Sequence, residues 1–203
     1  MLSHKKLLFI GVACLNSVLI SCYFNSPTQS ILAQNTPETN SACGNTKLAP
    51  ETTNSGSSLS ALALDKEFMT KVAQSNMIGI QTSKLVPRKS INITVTNFAE
   101  QMKRDYEDWN KQLEKIARDK GFNLPKDFGS ENESFLKTLK QVDGDKFNRA
   151  YMRGQVQIHS NIRNEFEKYC QQGQDQALKG FAEKILPVVE KNREEAGRKA
   201  RLL

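Results

Sequence analysis

Residues 59–203 predict an all-α domain, an antiparallel four-helix bundle with one extra short helix. Three observations carry the prediction. Apolar residues recur at steps of three and four from Leu59 onward, the period of a helix with one buried face. No alternating run flanked by turn residues marks a strand or hairpin. Gly121, Gly144 and Gly173 interrupt the pattern, which argues against one extended coiled coil and for helices folded back on each other, each burying its apolar stripe.

The first helix is expected over about 62–86, with Phe68, Met69, Val72, Ala73, Met77 and Ile80 on a broad apolar face and Pro87 as its stop. The second starts near Thr94 and spaces Phe98, Met102, Tyr106, Trp109, Leu113 and Ile116 along one stripe. Gly121 followed by Pro125 ends it. Ser130 and Glu133 match a capping box opening a short helix that carries Phe135, Leu136 and Leu139. The next long helix spans about 145–172, with Phe147, Tyr151, Ile158, Ile162, Phe166 and Tyr169 inward and Gly173 as its close. The last starts near Asp175, presents Leu178, Phe181, Ile185 and Val188 or Val189, and contains Pro187, which is expected to kink it.

Upstream of the bundle the chemistry changes. "MLSHKK" is a short basic start and "LLFIGVACLNSVLIS" an apolar run interrupted by Asn16 and Ser17; together they read as a secretion signal over 1–21 rather than a membrane-spanning helix. The run ends in Leu19-Ile20-Ser21-Cys22, which resembles a bacterial lipobox. That implies cleavage before Cys22 and a membrane anchor through acyl chains on it. A soluble secreted protein cut after Ala33 is the alternative. Residues 22–58 are then a lipidated flexible tether, rich in Ser, Thr, Asn, Gln and Pro, too polar to offset its own ordering entropy. Its coil dimension is roughly 30–35 Å. The expected location is the cell envelope, facing the periplasm, on the outer membrane of a Gram-negative-type bacterium.

The full chain carries a net +7; without Lys5 and Lys6, 27 basic residues face 22 acidic ones. The densest basic stretch is "KNREEAGRKARLL", read as a solvated helix end favoured by the helix dipole, with anionic membrane or cell-wall polymer as a lesser option. No aromatic and basic interleaving of the kind used on single strands is present, and no nucleic-acid partner is expected. With Cys14 in the signal and Cys22 acylated, Cys43 and Cys170 remain. They either form a disulfide, as an oxidising compartment allows, or stay a free and a buried thiol.

His159 is the one histidine outside the signal, and it lies on the flank of a core stripe. A bundle interior is a common place for metals, yet no Glu-x-x-His occurs and Val156 stands three residues before it. A ligand set would fall to Asp105, Tyr106 and His159, with Asn192 as a further polar candidate. The blander expectation is a buried imidazole bonded to Tyr106 or Asp105 across the bundle. No nucleophile motif, phosphate loop or Cys-x-x-Cys is present. No cofactor or catalytic residue is therefore assigned.

The stretches "LDKEFMTKVAQSNMIGIQTSKL", "NFAEQMKRDY", "GFNLP", "FNRAYMRGQVQIH" and "FAEKILPVVEKN" resemble the bacterial domain-of-unknown-function family 4142 over about residues 60–195. The resemblance implies an outer-membrane or periplasmic protein with a ferritin-like helical bundle. It also marks departures. Members of that family usually carry Glu in place of Gly79, Asp-His in place of Asp105-Tyr106, Asp-His in place of Ile158-His159, and a His near Lys191 or Asn192. This chain keeps the apolar framework and changes the polar positions. The resulting expectation is a lipid-anchored interaction module without catalysis, acting on an envelope protein. The rivals are a metal-dependent redox or stress-protection protein using a reduced core site, and a periplasmic holdase opening its Met69 and Met77 face. Oligomeric state is not written in the sequence.

Overall fold

The computed structural model describes residues 55–203, and all the regular structure among them is helical. The signal over 1–21, the acylation site Cys22 and Cys43 lie outside the described residues. Helix α1 spans Ser55–Ser83, α2 Val86–Lys89, α3 Ile93–Asp119, α4 Ser130–Lys140, α5 Gly144–Gln172 and α6 Gln176–Arg201. Together they form an all-α helical bundle. Among the described residues, no helix is long and apolar enough to cross a membrane.

Helix α1 begins earlier than the apolar pattern predicts, so residues 55–58, assigned above to the tether, are helical. Periodicity reports only a face that has something to bury against. Residues 55–58 carry no apolar side chain, and Leu59 and Leu62 remain 71% and 50% exposed, so nothing in the pattern marks where the helix begins. Past Ser83, Leu85 N–H donates to the Thr82 carbonyl, and Pro87 sits in the opening turn of α2, where its missing N–H leaves nothing unpaired. The Asn92 side chain then caps α3, accepting from the Thr94 and Val95 amides.

The far end of α3 closes as its sequence predicts. Gly121 adopts φ +66°, the left-handed turn that costs glycine nothing. Phe122 N–H donates to the Ala117 carbonyl and Gly121 N–H to that of Arg118, the paired bonds of a Schellman close. At α4 the expected capping box does not form. Gly129 occupies the cap position and no side chain bonds there; Ser130 is already helical, and its carbonyl accepts from the Ser134 hydroxyl. Asp127 holds the preceding loop instead, accepting from Gly129 N–H and from Gln74 on α1. Asp175 caps α6, accepting from Leu178 N–H. Helix α6 continues through Pro187, whose position on the exposed face leaves the lost hydrogen bond to water.

Cross-helix contacts fix the direction of two helix pairs. Lys71 meets Glu165 while Ser83 meets Tyr151, which reverses α5 against α1. Arg163 meets Glu190 and Arg149 reaches the Leu203 carbonyl, which reverses α6 against α5. Most of the expected stripe residues are buried, including Phe68, Met102, Trp109, Leu113, Ile162, Phe166 and Phe181. Ile78 replaces Met77 and Ile80 at the centre of the α1 face, and Val189 rather than Val188 points inward. Near the α1 amino end the core is aromatic: Phe68 stacks on Tyr169 at 4.3 Å and meets Phe166 at 5.5 Å, and Phe166 meets Phe181 edge-on at 5.7 Å.

Candidate functional site

The opposite half of the core is polar. Tyr106 from α3 and His159 and Gln155 from α5 are all fully buried there, with Thr82 and Ser83 from the end of α1. The Tyr106 hydroxyl lies 3.0 Å from Gln155 Oε1 and 3.2–3.3 Å from the two ring nitrogens of His159. The Gln155 amide donates to Thr82 Oγ1 at 3.2 Å, and the Thr82 hydroxyl donates to the Ile78 carbonyl. Ser83 and Tyr151 hydroxyls meet at 3.0 Å. A connected network thus crosses α1, α3 and α5.

The hydrogen assignments follow from the acceptors. His159 Nδ1 is 2.8 Å from the Gln155 carbonyl oxygen, which only accepts, so Nδ1 carries the proton and Nε2 the lone pair. The Tyr106 hydroxyl donates its one proton to Gln155 Oε1, and its oxygen accepts from the His159 Nδ1–H that also points at the Gln155 carbonyl. Burial holds the imidazole pKa down to about 4, against a smaller opposing effect of the Gln155 carbonyl, and nearby Arg193 lowers it further. Burial also pushes the Tyr106 phenol well above its ordinary value. At neutral pH the site holds a neutral imidazole and a protonated phenol.

Sequence reading singles out Asp105, Tyr106, His159 and Asn192, and the structure sorts them into two pairs. Tyr106 partners His159. Asp105 is instead bonded to Asn192, whose amide donates at 3.0 Å, and Asn192 in turn accepts from Gln101 at 3.5 Å. Burial raises the Asp105 pKa, and those two amides oppose the shift. The alternative partner for His159, Asp105, is not used. Gln155, Thr82, Ser83 and Tyr151 were not among the sequence candidates. Their one signal is helical phase: Gln155 lies a turn before His159, and Tyr151 a turn before Gln155.

Gly79 explains how so large a ring fits. A Cβ built on it would lie 2.3 Å from Tyr106 Cε2 and 2.6 Å from Cζ, far inside van der Waals contact. The phenol therefore occupies the space a side chain at position 79 would take. Two of the polar positions at which the chain departs from the family resemblance above, 79 and 106, are thus in direct contact.

These residues do not fit a metal. His159 offers one lone pair, and the phenol beside it is held protonated. Asp105, the carboxylate of the candidate set, is bonded to an amide rather than aimed at the imidazole. Among the described residues, no group of three or more His, Cys, Asp or Glu side chains is placed to hold an ion. Asn76, fully buried on α1, has an amide with no protein partner among the described residues. Cys170 is buried and disulfide-bonded; Cys43, its expected partner, lies outside the described residues. Of the two holdase methionines, Met69 is buried in the core and Met77 half-buried.

Comparison with known proteins agrees with the fold. No curated protein matches the chain. A crystal structure of a DUF305 fragment from Deinococcus radiodurans superposes with a TM-score of 0.63 at 12% identity, covering 69% of this chain and 97% of that one. At that identity the likeness is one of fold alone. The family model for the domain of unknown function DUF4142 matches residues 49–198. This chain, with a phenol where its core meets Gly79, belongs to the DUF4142 family.

Proposed function

We propose that this protein is a lipid-anchored module of the cell envelope, a ferritin-like antiparallel four-helix bundle that works through its surface rather than by catalysis. One observation carries the reading: the Tyr106 ring fills the space over Gly79 and, among the described residues, its hydroxyl bonds to Gln155 and His159 alone. The interior that could hold chemistry is thus spent on internal hydrogen bonds, which leaves the surface as the working part. The lipobox ending at Cys22 supports the anchor, and the polar stretch 22–54 supports a tether. The disulfide at Cys170 supports an oxidising compartment, with Cys43 as the proposed partner.

The test is to purify the protein from its native envelope, measure its metal content, and weigh the intact chain without reduction. Acyl mass on a chain beginning at Cys22, a Cys43–Cys170 crosslink and no stoichiometric metal are the expected results. Stoichiometric iron, copper, manganese or zinc that disappears in His159→Ala overturns the non-catalytic reading and installs a redox site in its place.

A further inference from the structure

The two ends of the bundle differ in charge. Residues 84–97, 140–149 and 195–203 gather at one end. Lys89 there bonds the Lys140 carbonyl and pairs with Asp143, Ser83 meets Tyr151, and Arg149 reaches the Leu203 carbonyl. These three spans hold nine Lys and Arg against three Asp and Glu. At the other end, residues 58–67, 117–127 and 169–180 hold five of each. The basic excess is therefore local, and Lys84, Arg88, Lys140 and Lys146 are all exposed with no acidic partner among the described residues.

The same end carries Ile91, the most exposed large apolar side chain among the described residues, together with Ile93 and Leu202. Ile91 is fully exposed and Ile93 69% exposed. Ile91 lies in the link between α2 and α3, between the extended Ser90 and Asn92, and Ile93 is the first residue of α3, so the two stand two residues apart at one corner. Among the described residues, none covers Ile91 and Ile93 is covered only in part. Two exposed isoleucines at an end rich in exposed cations suit a bilayer interface, where apolar side chains enter the headgroup layer while Lys and Arg stay with anionic headgroups. A soluble polyanion would use the cations and gain nothing from the isoleucines.

We propose that the α2–α3 corner, through Ile91 and Ile93 with Lys84, Arg88, Lys140 and Lys146, docks on an anionic phospholipid surface. The proposal deepens the envelope reading but does not depend on the acyl anchor, because the test reads the corner itself. The full chain carrying Ile91→Trp is mixed with phosphatidylcholine vesicles, with or without about a third phosphatidylglycerol, at 0.1 M salt. The native Trp109 is buried and supplies a constant background.

The expected result is a blue shift of the new indole, and its quenching by brominated acyl chains, on anionic vesicles alone. The vesicle concentration needed should rise about tenfold or more with Lys84→Glu and Arg88→Glu together, and also at 0.5 M salt, where screening shortens the reach of surface charge. In the chain with Trp at position 91, Ile93→Ser should weaken binding at unchanged charge. A reporter at the opposite end, Leu62→Trp, should not respond. No shift on anionic vesicles, an equal shift on neutral ones, an equal response at position 62, or an equal shift with soluble polyphosphate each overturns the proposal. An acyl anchor found or missing at Cys22 leaves these outcomes unchanged, so the two readings fail separately.

Discussion

The two halves of the core hold together by different means. Around Phe68, Phe166, Tyr169 and Phe181 the contacts are mainly ring against ring, with the Tyr169 hydroxyl donating to Asp65 at its edge, and stability comes chiefly from area and close packing. Around Tyr106, His159, Gln155 and Thr82 it comes from polar groups whose partners are also buried. The first half should be more sensitive to volume than to pH. The second should be sensitive to proton count and to the loss of any single partner, because each orphaned group keeps its full desolvation cost.

Truncating the ring half should do the most harm. Phe166→Ala opens a cavity at its centre and is expected to cost about 3–5 kcal/mol in denaturant unfolding, by nearly the same amount at pH 7 and pH 5. A strong pH dependence of that cost would break the division between the halves.

Acid should act on the other half. His159 titrates near 4 when folded and near 6.5 when free, so between those values the unfolded chain binds more protons. Its contribution is present in full above pH 6.5 and is lost as pH falls toward 4, about 3 kcal/mol in all. Replacing the imidazole by His159→Gln should flatten this part of the stability profile. An unchanged slope would mean that the imidazole is not buried neutral.

Gly79→Ala is expected to cost about 1–3 kcal/mol by overpacking against the phenol. Its cost should shrink or change sign in a Tyr106→Leu background, and a double-mutant cycle measures that coupling. Additivity would deny the contact. Tyr106→Phe, which keeps the ring and removes only the hydroxyl shared by Gln155 and His159, should cost about 1–2 kcal/mol. Last, Lys71→Ala breaks exposed pairs with Glu67 and Glu165 and should cost about 0.5 kcal/mol or less.

The same division explains what the sequence revealed. The all-α fold and most of the buried stripe were legible because apolar residues at helical spacing have one good use. The first turns of α1 were not, since they bury nothing, and Ser130 and Glu133 formed no capping box because Gly129 took the cap. Tyr106 and His159 were legible as a facing pair because both sit in phase with apolar seams. Gln155, Thr82 and Ser83 were not, because a polar residue reads the same in sequence whether it faces water or a buried partner. The fit of Gly79 to the Tyr106 ring depends on two helices meeting at one level, which no local pattern encodes.

The early start of α1 has a mechanical consequence. Its opening turns extend the helix past Phe68, the first buried residue on it, with Leu59 and Leu62 bare. A pull delivered through residues upstream of Ser55 enters along the axis of a helix packed on both α3 and α5. Such a load shears two long seams together instead of peeling one contact at a time, so α1 is built to resist being drawn out by whatever holds its amino end.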